Sequence, residues 1–346
     1  KTMETVSIFS QGFTFICIVI YLILNLRGNY VHLRDLLYEV VFYLVIAYCE
    51  SLPLDVLESG QIIPELKFYE FTTSGKRKYL VSKAHSQNFS PASQLIIYIP
   101  GWWNTPTDES SDVLVKALLI KNPIVLILDT RASFCREYVS SALQVNGLAR
   151  RLFSFIQNLH FQGFPIAKIH IIGFSLGAHV AGITGRLVQL KLFKSLERIT
   201  ALDPARPCFI KQSKYRLKKE DASFVYVLHT SSGVVGLEEP IGDVDVYANG
   251  ITSNQPECKQ RAITLRCDHA QSWKLYAASV SNESLLTGSE CVTWNELRNK
   301  QCSGDRANVG YGCSTKTRGL FLYTSQEEKR NLRVFNPFDI KTWFNR

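Results

Sequence analysis

The chain has 346 residues, 46% of them hydrophobic, which suffices for one large or two small domains with a substantial core. With 39 Lys and Arg against 30 Asp and Glu, the formal charge is +9, a balance that suits anionic surfaces such as phospholipid headgroups or sulfated polysaccharide, with solubility alone as the alternative. The sequence holds no nucleic-acid module, Gly-rich phosphate loop, His-Glu-x-x-His zinc pattern or internal repeat, so no nucleic-acid partner, metal or cofactor is expected.

At the N-terminus, residues 6–26 carry no charge and are long enough to cross a bilayer. A second apolar run, residues 40–48, follows a basic flank and ends Ala47-Tyr48-Cys49, the small-x-small pattern of a signal-peptide cleavage site. Residues 1–49 are read as a hydrophobic leader removed near residue 49, giving a secreted protein; retention as a membrane anchor is the alternative. Residues 50–61 then form a linker, and residues 62–346 a single domain.

From residue 62 onward, short apolar strands alternate with helical segments. Strands are expected over residues 67–72, 94–99, 123–129, 168–172, 198–202 and 223–228. Residues 106–111 read as a polar turn and 112–120 as a helix. Ala142, Val145, Leu148, Leu152, Phe155, Ile156 and Leu159 recur at helical spacing and predict an amphipathic helix of several turns. Continuous apolar strands between helices imply a mostly parallel sheet covered on both faces. Ligands of such sheets bind beyond the carboxyl ends of the strands.

One strand runs into Gly173-Phe174-Ser175-Leu176-Gly177, and a small-residue helix pattern follows. This Gly-x-Ser-x-Gly turn is a nucleophile elbow, and its glycines let neighbouring backbone crowd the serine. A serine hydroxyl needs a base, an orienting acid and oxyanion donors before it attacks an ester. Asp203, directly after an apolar strand, is the candidate acid; a turn or N-cap aspartate, which the following Pro204 also suits, is the alternative. His269, in a loop that Cys267 could fix, is the base by position and order, with His229 the weaker candidate. Backbone N–H groups of Leu176, after the nucleophile, and of Trp102, in Pro100-Gly101-Trp102-Trp103, form the expected oxyanion hole. His179 is expected to pack locally.

Nine cysteines suit the secretory path. Cys258 and Cys267 are spaced for a small disulfide loop, as are Cys291 and Cys302. Cys17 and Cys49 fall in the leader, and Cys135, Cys208 and Cys313 are left over. Asn282-Glu283-Ser284 and Asn88-Phe89-Ser90 match the glycosylation pattern.

These residues resemble the pancreatic-lipase-like family. The resemblance rests on the segment from Gly173 to Gly182, on Leu202-Asp203-Pro204-Ala205, His229-Thr230, Pro240-Ile241-Gly242, Asp245-Val246-Tyr247-Ala248-Asn249-Gly250 and Cys267-Asp268-His269, and on the C-terminal Cys291-Val292-Thr293-Trp294 and Gly319-Leu320-Phe321-Leu322-Tyr323-Thr324. It spans about residues 62–325 and implies an α/β-hydrolase fold with the triad Ser175, Asp203 and His269, here without the C-terminal sandwich domain of vertebrate relatives. The chain departs from the family pattern at Pro100 and Phe174, each a usual His, at Asp243, another usual His, and at Asp268, a usual Ser or Asn. Ser213 and Lys218 stand where relatives carry calcium-binding carboxylates, so no calcium is expected.

The resemblance also assigns a lid between Cys258 and Cys267: Lys259, Gln260, Arg261, Ala262, Ile263, Thr264, Leu265 and Arg266. Family members that act on triacylglycerols have long apolar lids, whereas the phospholipase A1 branch has trimmed ones. A short lid bearing Lys259, Arg261 and Arg266 implies a site open to charged headgroups and a lipid–water interface as partner, with no protein partner. Neutral lipids are the runner-up substrate. A silent lipid-binding or storage protein, like the yolk proteins of this superfamily, is the alternative of another class.

Overall fold

A computed structural model describes residues 65–83, 89–209, 214–252, 254–259 and 265–325. The expected leader and linker, Asn88 and Ser213 lie outside the described residues. In chain order the elements are β1 (Lys67–Thr72), β2 (Gly75–Leu80), β3 (Leu95–Ile99), α1 (Glu109–Leu118), β4 (Ile124–Leu128), α2 (Arg131–Phe134), α3 (Tyr138–Leu143), α4 (Val145–Phe161), β5 (Ile169–Phe174), α5 (Leu176–Leu192), β6 (Arg198–Leu202), β7 (Val225–His229), β8 (Val244–Ala248), α6 (Leu265–Ser281), β9 (Thr287–Cys291), α7 (Trp294–Asn299), β10 (Arg306–Asn308) and β11 (Gly319–Tyr323).

All described strands join one sheet, in the order β10-β9-β11-β8-β7-β6-β5-β3-β4-β1-β2. From β4 across to β11 the neighbours are parallel. Antiparallel strands finish both edges. Each of β3 to β8 is buried along its whole length, as strands covered on two faces must be. Alternate residues feed two cores. Ile97, Ile99, Ile171 and Val227 meet α4 and α5 on one face. Ile96, Tyr98, Ile172 and Val246 meet α1 and α6 on the other. This is the α/β-hydrolase arrangement.

The helical stripe of α4 buries the residues its periodicity predicted, Val145, Leu148, Leu152, Phe155, Ile156 and Leu159, and Ala149 with them. Ala142 belongs instead to the separate helix α3. Helix α1 begins earlier than expected, because Asp108 caps it by accepting the Ser111 N–H at 3.1 Å. The turn read through residue 111 therefore ends at the cap. Strand β2 carries Lys76, Arg77 and Lys78 on the sheet edge, where charge discourages pairing with another chain.

Candidate active site

The parallel strands deliver their C-terminal ends to one side of the sheet. Strand β5 ends at Phe174, and Ser175 turns the chain into α5 with φ 55° and ψ −119°. Such a conformation costs a non-glycine residue on the order of 1–3 kcal/mol and persists only where the surroundings enforce it. Three hydrogen bonds do so. The Ser175 N–H donates to Leu202 O at 3.0 Å, and its carbonyl accepts from Ala178 N at 3.1 Å and Ala205 N at 3.3 Å. Gly177 is required because a Cβ there would lie 2.2 Å from the Ile99 carbonyl oxygen.

Asp203 follows β6, the strand beside β5, and is fully buried. One carboxylate oxygen, Oδ1, accepts the N–H groups of Thr230 at 2.8 Å and Ser231 at 3.1 Å. The other, Oδ2, accepts His269 Nδ1–H at 2.6 Å and the Ser231 hydroxyl. Burial works to raise the pKa of this carboxyl. The bond and charge of His269, then Ser231 and Thr230, outweigh burial and hold it below the ordinary value. Asp203 is thus an ionised acceptor in a dry setting.

His269 sits in the second turn of α6 with its ring 4.5 Å from that of Phe174, the residue before the serine. A carboxylate can only accept, so Nδ1 carries the proton in the neutral ring and Nε2 offers its lone pair. Among the described residues no hydrogen bond links the Ser175 hydroxyl to this ring. In ligand-free sites such bonds are often long and shorten when substrate binds. The backbone at Gly101 presses on the serine: a Cβ on Gly101 would stand 2.8 Å from Ser175 Cβ. Trp103 N–H is bonded to Phe134 O at 3.1 Å, whereas Trp102 N–H has no acceptor among the described residues. Leu176 N–H, at the first position of α5, has no intrahelical acceptor.

A family model described as Lipase matches residues 64–330. The chain belongs to the pancreatic-lipase-like lipase family. It is 32% identical over 240 residues to lipase member H-B of Xenopus laevis, a match covering 68% of this chain and 50% of that protein. Lipase member H of Oryctolagus cuniculus is 34% identical over 240 residues, covering 67% and 51%. Lipoprotein lipase of Rattus norvegicus is 31% identical over 296 residues, covering 77% and 60%. The chain spans about half the length of the first of these relatives.

Against that family the departures acquire local roles. Phe174 packs its ring on His269. Asp243 accepts Val225 N–H at 2.9 Å and pairs with Arg318 at 3.1 Å. Asp268 is buried and accepts Gln255 N–H at 2.8 Å. His229, the weaker candidate base, is fully buried, with Nε2 2.8 Å from Asp245 and Nδ1 3.1 Å from Leu237 O. Both nitrogens are engaged away from the serine. His179 is buried between Ala205 O at 2.7 Å and Leu217 N at 3.2 Å, and burial pushes its pKa down to about 3.

The disulfides Cys258–Cys267 and Cys291–Cys302 are both formed. Cys208, left over in the sequence reading, is also disulfide-bonded, and among the described residues Cys135 and Cys313 are free. Of the lid residues, Lys259 is exposed, while Gln260, Arg261, Ala262, Ile263 and Thr264 lie outside the described residues. Leu265 and Arg266 form the first turn of α6. Lys218 donates its backbone N–H to Asp221 Oδ2 at 2.8 Å, and that carboxylate also receives Arg186 at 2.9 Å. Among the described residues no cluster of three His, Cys, Asp or Glu side chains could hold a metal.

Sequence reasoning missed Thr230 and Ser231 as the holders of Asp203. Their signal is positional only: they follow the end of β7, the strand next to β6, where free backbone N–H groups face a carboxylate.

Proposed function

We propose that this lipase-family protein is a secreted carboxylic-ester hydrolase acting on glycerophospholipids at the sn-1 ester. One observation carries the hydrolase reading: a buried, ionised Asp203 bonded at 2.6 Å to His269, at the strand end beside the strained Ser175. In the first half-reaction Ser175 Oγ attacks the ester carbonyl carbon and His269 Nε2 takes the hydroxyl proton. Asp203 stabilises the imidazolium so formed. The N–H groups of Trp102 and Leu176 receive the oxyanion. When the tetrahedral intermediate collapses, the bond to the alcohol oxygen breaks and His269 returns the proton to that oxygen. Water, deprotonated by His269, then cleaves the acyl-Ser175 ester and regenerates the hydroxyl.

The substrate reading draws support from the short segment between Cys258 and Cys267, with Lys259, Arg261 and Arg266 in it. A small basic cover suits a phosphate-bearing headgroup better than a neutral triglyceride surface. Secretion is supported by the disulfides, which persist in oxidising compartments. Among the described residues, no helix is long and apolar enough to cross a membrane.

The test is fatty-acid release from phosphatidylcholine and from triolein emulsion, side by side, by wild type and Ser175→Ala. The expected outcome is faster release from phosphatidylcholine, and a loss of roughly 10³-fold or more in the variant. Preferential cleavage of triolein would overturn the substrate assignment.

A further inference from the structure

Trp102 and Trp103 are 39% and 57% exposed, on the loop that lays Gly101 against Ser175. Both indole N–H groups donate to one acceptor, the Arg136 carbonyl, at 2.8 and 3.0 Å. The two rings meet edge to face at 6.3 Å, and Tyr138 closes on Trp102 at 5.3 Å. An indole leaving water ordinarily carries an N–H that must find a partner. Here both already have one, so the exposed ring faces can enter an acyl layer without an unpaired donor. The other strongly exposed aromatics, Phe161 and Phe193, stand at the ends of α4 and α5 that lead into β5 and β6, away from the strand ends that carry Ser175, with Leu190 exposed one turn before Phe193. Side chains of that kind need no explanation; a hydrogen-bonded pair at the mouth of a site does.

The residue whose carbonyl takes both indoles is itself a cation. Arg136 is exposed, and its Nε donates to Ala132 O at 2.9 Å, while its terminal nitrogens have no partner among the described residues. A guanidinium on the residue that anchors an aromatic pair suits a phosphate above an acyl layer. The chain's charge of +9 has the same sense.

We propose that Trp102, Trp103 and Arg136 form the surface that seats this protein on a phospholipid membrane containing anionic lipid, with Ser175 turned toward the bilayer. The proposal rests on the lipid-ester reading for its biological purpose, but its measurement is separate. Binding is read by co-sedimentation with phosphatidylcholine vesicles, with and without phosphatidylglycerol, and by quenching of tryptophan fluorescence by brominated phosphatidylcholine. Turnover of the soluble ester p-nitrophenyl butyrate is measured alongside.

Trp103 has φ 58°, which asparagine tolerates. Trp103→Asn is expected to bind vesicles roughly tenfold more weakly, with less quenching and unchanged turnover of the soluble ester. Arg136→Gln is expected to keep binding to pure phosphatidylcholine and to lose the gain from phosphatidylglycerol. Wild-type affinity and quenching in Trp103→Asn would overturn the proposal. Soluble-ester turnover by a wild type that binds no vesicles would also overturn it, leaving the hydrolase reading intact. Tryptophan-dependent binding without ester turnover would support the docking surface and defeat the hydrolase reading.

Discussion

Asp203 is held by four donors: two backbone N–H groups, one hydroxyl and the imidazole of His269. The backbone donors leave the carboxylate little freedom, so the Ser231 hydroxyl serves mainly to place Oδ2, the oxygen it shares with His269. Ser231 Oγ itself accepts Gly236 N–H at 3.0 Å and lies 3.5 Å from His269 Nδ1. Ser231→Ala should lower kcat by about tenfold with KM nearly unchanged, because one charge-assisted bond is lost and the backbone grip remains. Asp203→Asn should cost about 10³–10⁴-fold, since an amide turned to donate toward Nδ1 stabilises the wrong tautomer. Steady-state kinetics on a soluble ester checks both. A Ser231→Ala variant as impaired as Asp203→Asn would mean that the hydroxyl, not the backbone, fixes the acid.

At the scale of elements, His179 on α5 ties the helix that follows Ser175 to the segment after Asp203, through Ala205 O. Burial keeps it neutral, with a pKa of about 3 against 6.5 when exposed. The unfolded chain takes up this proton as pH falls below about 6.5, whereas the fold does not until about 3. Its contribution is therefore present above 6.5 and lost as pH drops through that window. By linkage the loss between pH 7 and pH 5 is about 2 kcal/mol. Urea unfolding at these two pH values should show a decrement smaller by that amount in His179→Gln than in wild type. Equal decrements would contradict the assignment. His170, buried beside Arg198, has its pKa lowered as well and adds to the wild-type trend.

Elements differ in how much of themselves they write into the sequence. The central strands and α4 were legible because burial on two faces, or along one stripe, demands unbroken apolar patterns. Strand β2, reading GKRKYL at one edge, and β9, reading TGSEC between β10 and β11, carry no such pattern, since strands at the sheet's margins are recruited by backbone pairing with a neighbour already in place. The elbow and Asp203 were legible because a strained turn and a strand-end acid restrict residue choice tightly. Thr230 and Ser231 were not, because backbone N–H groups, which any residue supplies, do most of the holding, and one added serine hydroxyl leaves no pattern in the sequence.

Over the whole molecule, the candidate site is assembled from distant stretches: the loop after β3, the elbow after β5, the acid after β6 and its holders after β7, and the base on α6. No one of these stretches makes the site alone, so its chemistry reports the integrity of the whole sheet. The central claim is that His269, oriented by Asp203, makes Ser175 nucleophilic. The most direct measurement is covalent labelling of the folded, disulfide-intact protein with a fluorophosphonate, followed by peptide mass mapping. The account predicts one modified serine, Ser175, with labelling abolished in Ser175→Ala and strongly slowed in His269→Ala. An unlabelled Ser175 in folded wild type, or labelling at the wild-type rate in His269→Ala, would contradict it.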